Sequence, residues 1–242
     1  MLWRIFKIKM WDSDGYSSDG TWARLPEEER PQYPPLVRAC FEGRADVVRQ
    51  MLAAGADPES PFCLGSDEGL SLLFYASGFM GWDTGREDYV GVVEALLAAG
   101  ADATVANRYG NTPLHYLTTN RFASDRIAML LINAGARPTN NCHGRSPVRD
   151  IEPEPPFRDG IDEFRAARRV APILLRAGAD MSYLKPPFHN PYLETIHTAG
   201  GFKAHEKQHA DTLVEMFKPK LSVLPPEMIR HIVFFWAHVG FY

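Results

Sequence analysis

Apolar residues in this chain return in pairs at the ends of helical runs, and each pair is followed within four residues by a glycine. The pairs are Met51-Leu52, Leu96-Leu97, Leu130-Leu131 and Leu174-Leu175, and the sequences that follow are Gly55-Ala56-Asp57, Gly100-Ala101-Asp102, Gly135-Ala136-Arg137 and Gly178-Ala179-Asp180. A glycine just beyond an apolar helix face supplies the left-handed residue that closes a helix without a Cβ penalty. Gly110 is read the same way, for a turn. After it, Thr112 is placed to cap a new helix and Pro113 to occupy its first position, where the missing N–H has no helical partner to lose.

These features recur together and in register, with Thr112-Pro113-Leu114-His115 carrying the fullest form of the signature. The chain here resembles the ankyrin-repeat family. The resemblance implies an all-α solenoid of about five helix-turn-helix repeats with hairpin fingers, spanning residues 34–217 and ending in a C-terminal capping helix. Residues 1–33 are read as an irregular leader and residues 218–242 as a capping or F-box-like helix.

The spacing within repeats varies. Leu36 to Gly55 is 19 residues, Leu73 to Gly100 is 27, Leu114 to Gly135 is 21 and Val148 to Gly178 is 30. The excess predicts inserted loops, one of them over 79–88, and in solenoids such loops gather on one face. Pro153, Pro155 and Pro156 argue against regular helix in repeat four, and Pro172 predicts a kink or a fresh helix start. A degenerate fifth repeat is placed at Asn190-Pro191-Tyr192-Leu193, with its second helix over about 204–217. Beyond it Met228, Ile229, Ile232, Val233 and Trp236 recur at helical spacing and are expected to pack on that repeat near Leu213 and Phe217.

Composition narrows the function. A net charge of −4 argues against bulk attraction to nucleic acid or an anionic membrane. Cys40, Cys63 and Cys142 are odd in number without paired spacing, which suggests neither a disulfide framework nor a thiolate metal site and fits a reducing, cytoplasmic (or nuclear) compartment. The longest apolar run, Ile232 to Trp236, is too short to span a bilayer, and the first ten residues lack the continuous apolar run of a secretory signal. No glycine-rich phosphate loop or nucleophile elbow occurs, so no cofactor and no catalytic residue is assigned.

His205-Glu206-Lys207-Gln208-His209 matches the His-Glu-x-x-His pattern of zinc peptidases, the basis of an alternative zinc-hydrolase reading. The segment already serves as a repeat helix, Lys207 and Gln208 are polar, and Thr212 and Glu215 stand where an extended zinc motif needs Gly and His. No metal site is therefore assigned. Arg165, Arg168 and Arg169 read as a solvated helix face, and His115 as a structural histidine bridging to the neighbouring repeat.

The family resemblance implies a non-enzymatic scaffold, a monomer outside its complex, that binds another protein in the concave groove. The expected contact residues are Arg108 and Tyr109 at one finger tip, Asn141 and His143 at the next, Tyr116 and Asn120 on the helix between, and Phe79 and Trp82 in the repeat-two insertion. Leu224-Pro225-Pro226-Glu227-Met228-Ile229-Arg230-His231-Ile232-Val233 also resembles the opening of an F-box. That second resemblance implies an alternative role as the substrate receptor of a cullin-type ubiquitin ligase, docked on a Skp-type adaptor.

Overall fold

A computed structural model describes residues 34–60, 62–64, 67–78, 88–118, 124–148, 161–182, 185–188 and 191–238 of the 242. The expected leader, the repeat-two insertion up to residue 87 and the proline-rich stretch around Pro153 lie outside them. The fold is the all-α ankyrin-repeat type: ten helices and one two-stranded hairpin among the described residues. In order these are α1 (Pro35–Phe41), α2 (Ala45–Ala53), β1 (Phe62–Leu64), β2 (Asp67–Leu70), α3 (Leu72–Gly78), α4 (Tyr89–Ala98), α5 (Pro113–Thr118), α6 (Asp125–Asn133), α7 (Ile161–Arg176), α8 (Pro191–Thr198), α9 (Phe202–Phe217) and α10 (Pro226–His238).

The apolar pairs and the Gly-Ala that follows close the second helix of four repeats in one manner. Gly55, Gly100, Gly135 and Gly178 have φ between 93° and 98°. Each donates its N–H three residues back, and the next alanine donates five residues back, as in Ala101 N–H to the Leu96 carbonyl at 3.0 Å. The pattern satisfies two carbonyls that a helix end otherwise leaves unpaired. The aspartate that follows turns the chain outward. Asp57, Asp102 and Asp180 accept the N–H of Glu59, Thr104 and Ser182 at 2.9, 2.7 and 2.8 Å. Arg137 stands where the third aspartate would be, and its main-chain carbonyl accepts from Thr139 instead.

The described residues divide into two compact units, the first reaching Ala76 and resuming over Met80–Ala101, the second holding Ser77–Phe79 and Asp102 onward. In the first, α2 packs along α4 with Leu36, Val37, Val48, Leu72, Leu73, Phe74, Val92, Val93 and Leu96 in the core. Gly91 marks the closest approach: a Cβ there would lie 2.8 Å from the Ala45 Cβ and 2.1 Å from Oδ2 of Asp88, whose other oxygen caps α4 at Gly91 N–H. The Tyr89 hydroxyl donates to the Phe41 carbonyl, tying the two repeats. β1 and β2 form an antiparallel finger, pairing Phe62 with Leu70.

In the second unit α5, α6 and α7 pack together around Leu114, Leu117, Ile127, Leu131, Val170 and Leu174, and α8 with α9 follow. α7 is one helix through Pro172, contrary to the fresh start that proline predicts. Val170, Ala171 and Leu174 around it are fully buried, and that packing outweighs the lost hydrogen bond. The last helix, α10, lies on α9. Ile229 and Val233 are buried with Ala210 and Val214, and Leu213, Phe217, Leu221 and Leu224 pack around them. Met228, expected in this contact, is 51% exposed. It sits one residue from Ile229, about 100° around the helix, outside the narrow i, i+4 stripe that meets α9. Ile232 is half-buried, and the side chain of Trp236 lies outside the described residues.

Candidate functional site

Two fingers of the second unit stand 34 positions apart and share one construction. In the first, Asn107 Oδ1 accepts the N–H of Tyr109 at 2.9 Å and of Asn111 at 3.0 Å. Asn141 Oδ1 accepts from His143 and Arg145 at the same two distances. The main chain closes each loop: Asn107 N–H donates to the Asn111 carbonyl, and Asn141 N–H to that of Arg145. An asparagine bonding its own downstream backbone mimics a turn and fixes a five-residue loop without a hydrophobic core.

The fingers are joined to each other. Cys142 N–H donates to the Tyr109 carbonyl at 3.0 Å, and Asn141 Nδ2 to Asn111 Oδ1 at 2.8 Å. Gly110, with φ 72°, lets the backbones approach, since a Cβ there would lie 3.0 Å from Cys142 N. His115 supports the pair from beneath. Its Nδ1 accepts the Thr112 N–H at 3.1 Å, which leaves the proton on Nε2 to donate to the Arg145 carbonyl at 3.0 Å. The ring is buried, and desolvation holds its pKa below 6.5 against the opposing pull of that carbonyl. His115 is thus the repeat-bridging histidine the sequence predicts. Ser146, the counterpart of Thr112, donates to the Asp180 carbonyl at 2.8 Å.

On this base the exposed side chains assemble. The Arg108 guanidinium carbon lies 4.8 Å above the centre of the Tyr109 ring, and that ring stacks on His143 at 6.4 Å with 27° between planes. Arg108, Tyr109 and His143 are all exposed. The structure therefore brings together three of the residues expected at the tips. Asn141 is half-buried and holds the finger rather than projecting from it, and Tyr116 is half-buried on α5. Asn120, Phe79 and Trp82 lie outside the described residues. Arg145 is exposed on the second finger and was not among the expected contacts, although its position 34 residues after Asn111 marks it as a finger residue.

The sites of chemistry weighed in the sequence are otherwise engaged. Glu206 is ion-paired with Arg176 across α7 and α9, and Tyr192 meets the His205 ring edge-on at 5.6 Å. The rings of His205 and His209 lie parallel, 6.5 Å apart, and desolvation together with His209 lowers the pKa of His205. No group of three His, Cys, Asp or Glu able to hold a metal occurs among the described residues. Burial pushes the Cys40 thiol up to about 12, the opposite of a nucleophile's environment. No described helix is long and apolar enough to cross a membrane.

No family model matches the chain. One curated relative, a protein of Rickettsia felis (strain ATCC VR-1525 / URRWXCal2) bearing the name "Putative ankyrin repeat protein", is 29% identical over 121 residues. The matched region is 49% of this chain and 45% of the relative, so the chain spans under half the length of the protein it resembles. The similarity agrees with the helix pairs and finger turns described above.

Proposed function

We propose that this protein is a non-enzymatic interaction module that binds another protein along the finger tips and the adjoining first-helix faces, the groove side of an ankyrin-type stack. The observation that carries this reading is the exposed Arg108–Tyr109–His143 stack on two fingers whose backbones are already satisfied by Asn107, Asn141 and His115. Arginine and tyrosine offer large contact area with directional donors, and here they stand pre-ordered, which lowers the entropy cost of docking. Tyr116 extends the surface along α5. The test is affinity purification of the wild-type chain and of Tyr109→Ala from the same cells. A partner retained by the wild type and lost by the variant, with the melting temperature unchanged, supports the reading; equal retention of every partner refutes it.

A second reading, a ubiquitin-ligase substrate receptor docked through α10, is favoured by the exposure of Met216 (64%), Val223 (93%) and Met228 (51%) at that end of the chain. Apolar side chains left exposed on α9, on α10 and between them offer surface for such a docking partner. Met228→Ser abolishing co-purification with a Skp-type adaptor supports this reading; absence of any adaptor from wild-type preparations excludes it.

A further inference from the structure

Both ring nitrogens of His115 are committed, and together they fix how many protons the ring can hold. Nδ1 accepts the Thr112 N–H at 3.1 Å, which donates nowhere else among the described residues, and Thr112 Oγ1 lies 3.0 Å from the same nitrogen. Nε2–H supports the second finger through the Arg145 carbonyl. A proton taken from solvent onto Nδ1 sets one donor against another. The hydroxyl can turn to accept it; the Thr112 N–H cannot, and it is buried.

A charge on the ring meets no counter-ion either. Among the described residues its partners are Thr112 and the Arg145 carbonyl alone. α6 and α7 pack against α5. Asp125 and Arg126 are exposed at the start of α6, Arg169 is exposed on α7, and Arg176 is paired with Glu206. Asp162, Glu163, Arg165 and Arg168 precede them on α7, outside the described side chains. On the fingers Arg108, Arg145, Cys142 and His143 are exposed, and none of their side chains bonds the imidazole. An imidazolium held here is a buried cation without a carboxylate, and the lowered pKa of the ring has that cause.

We propose that His115 is a proton-operated latch between the two fingers: a second proton expels the ring from beneath the Arg145 carbonyl, and the fingers uncouple while the helices behind them stay packed. Leu114 and Leu117, on the same helix, remain in the core with Leu131, which confines the opening to the finger base. What then joins the fingers is the Cys142 N–H to Tyr109 bond and the Asn141 to Asn111 bond, without the support below them. On the finger-tip reading above, a partner spanning both tips is released by acid. The latch itself stands without that reading.

The experiment follows the nitrogen-labelled full chain by NMR from about pH 7.5 to about pH 5.5, reading the His115 ring nitrogens and the amide-exchange protection of Thr112 and Cys142, with Leu131 in α6 as the helix reference. The expected result is a fall of at least about tenfold in protection at Thr112 and Cys142, corrected for intrinsic exchange, as His115 charges, while Leu131 changes by less than about twofold. His115→Gln, which cannot charge, should lose this response, and His143→Gln should keep it. Protection at Cys142 that persists after His115 charges, or that falls in step with Leu131, overturns the latch. So does a ring that stays neutral until the chain unfolds, a response retained in His115→Gln, or one lost in His143→Gln. Should His115→Gln fail to fold, the wild type decides alone: a charged ring whose Nε2–H stays protected overturns the proposal, and one whose Nε2–H exchanges freely supports it.

Discussion

At the residue scale, the finger residues separate into those that hold and those that face outward. Asn141 accepts two backbone N–H groups and donates to Asn111, so Asn141→Ala removes the bonds that close the finger and should cost about 0.5–1.5 kcal/mol in denaturant unfolding. Tyr109→Ala, at a ring 41% exposed, should leave the unfolding midpoint nearly unchanged and weaken partner binding by about 1 kcal/mol or more. Equal stability loss in the two variants would contradict this division. His115 gives a pH signature. Its folded pKa is depressed, so the unfolded chain takes up a proton first as the pH falls. The stability is present above the unfolded value of about 6.5 and is lost as the pH drops through it towards the folded pKa. Urea midpoints at about pH 7.5 and 5.5 should fall less in His115→Gln than in the wild type, with the depressed His205 accounting for part of what remains.

At the scale of elements, the helix ends were the most legible feature because their signal is local. A glycine after paired leucines needs no tertiary knowledge, and each repeat glycine adopts positive φ. What sequence pattern alone missed depends on packing. Pro172 breaks helices in isolation, but here buried neighbours on both sides hold α7 together. Met228 belongs to an apolar pattern yet lies off the stripe that α9 meets. The difference between Met228 and Ile229 is testable: Ile229→Ala should destabilise by about 2–4 kcal/mol through a cavity beside Val214, whereas Met228→Ser should change stability by under about 0.5 kcal/mol. In the first unit Gly91→Ala forces a Cβ against Ala45 and the capping Asp88. A loss of about 1–3 kcal/mol is expected, read from thermal melts, and a neutral variant would show that α2 and α4 separate easily.

At the scale of the whole molecule, charge shows the limit of reading totals. A net −4 and a pI near 6.1 describe an acidic protein, and argued at the outset only against bulk attraction to polyanions. The carboxylate-free stretches 103–118 and 126–148 are visible in the same sequence. The bond from Cys142 N–H to the Tyr109 carbonyl sets the tips of the two fingers side by side, which no residue total shows. Arg108 and Tyr109 were legible as tip residues because the signature at 112–115 places the finger before it, and His143 as a residue of the next tip, whereas their stacking was not. Arg145 was not, since no single-repeat motif marks it.

The paired asparagine clamps also bear on how such a chain changes over generations. Because Asn107, Asn111 and Asn141 keep the loops folded from within, positions 108, 109, 142 and 143 are decoupled from the fold. On the interaction reading proposed above, substitutions there are screened by selection on recognition alone, so a descendant acquires a new partner in single steps without passing through an unfolded ancestor.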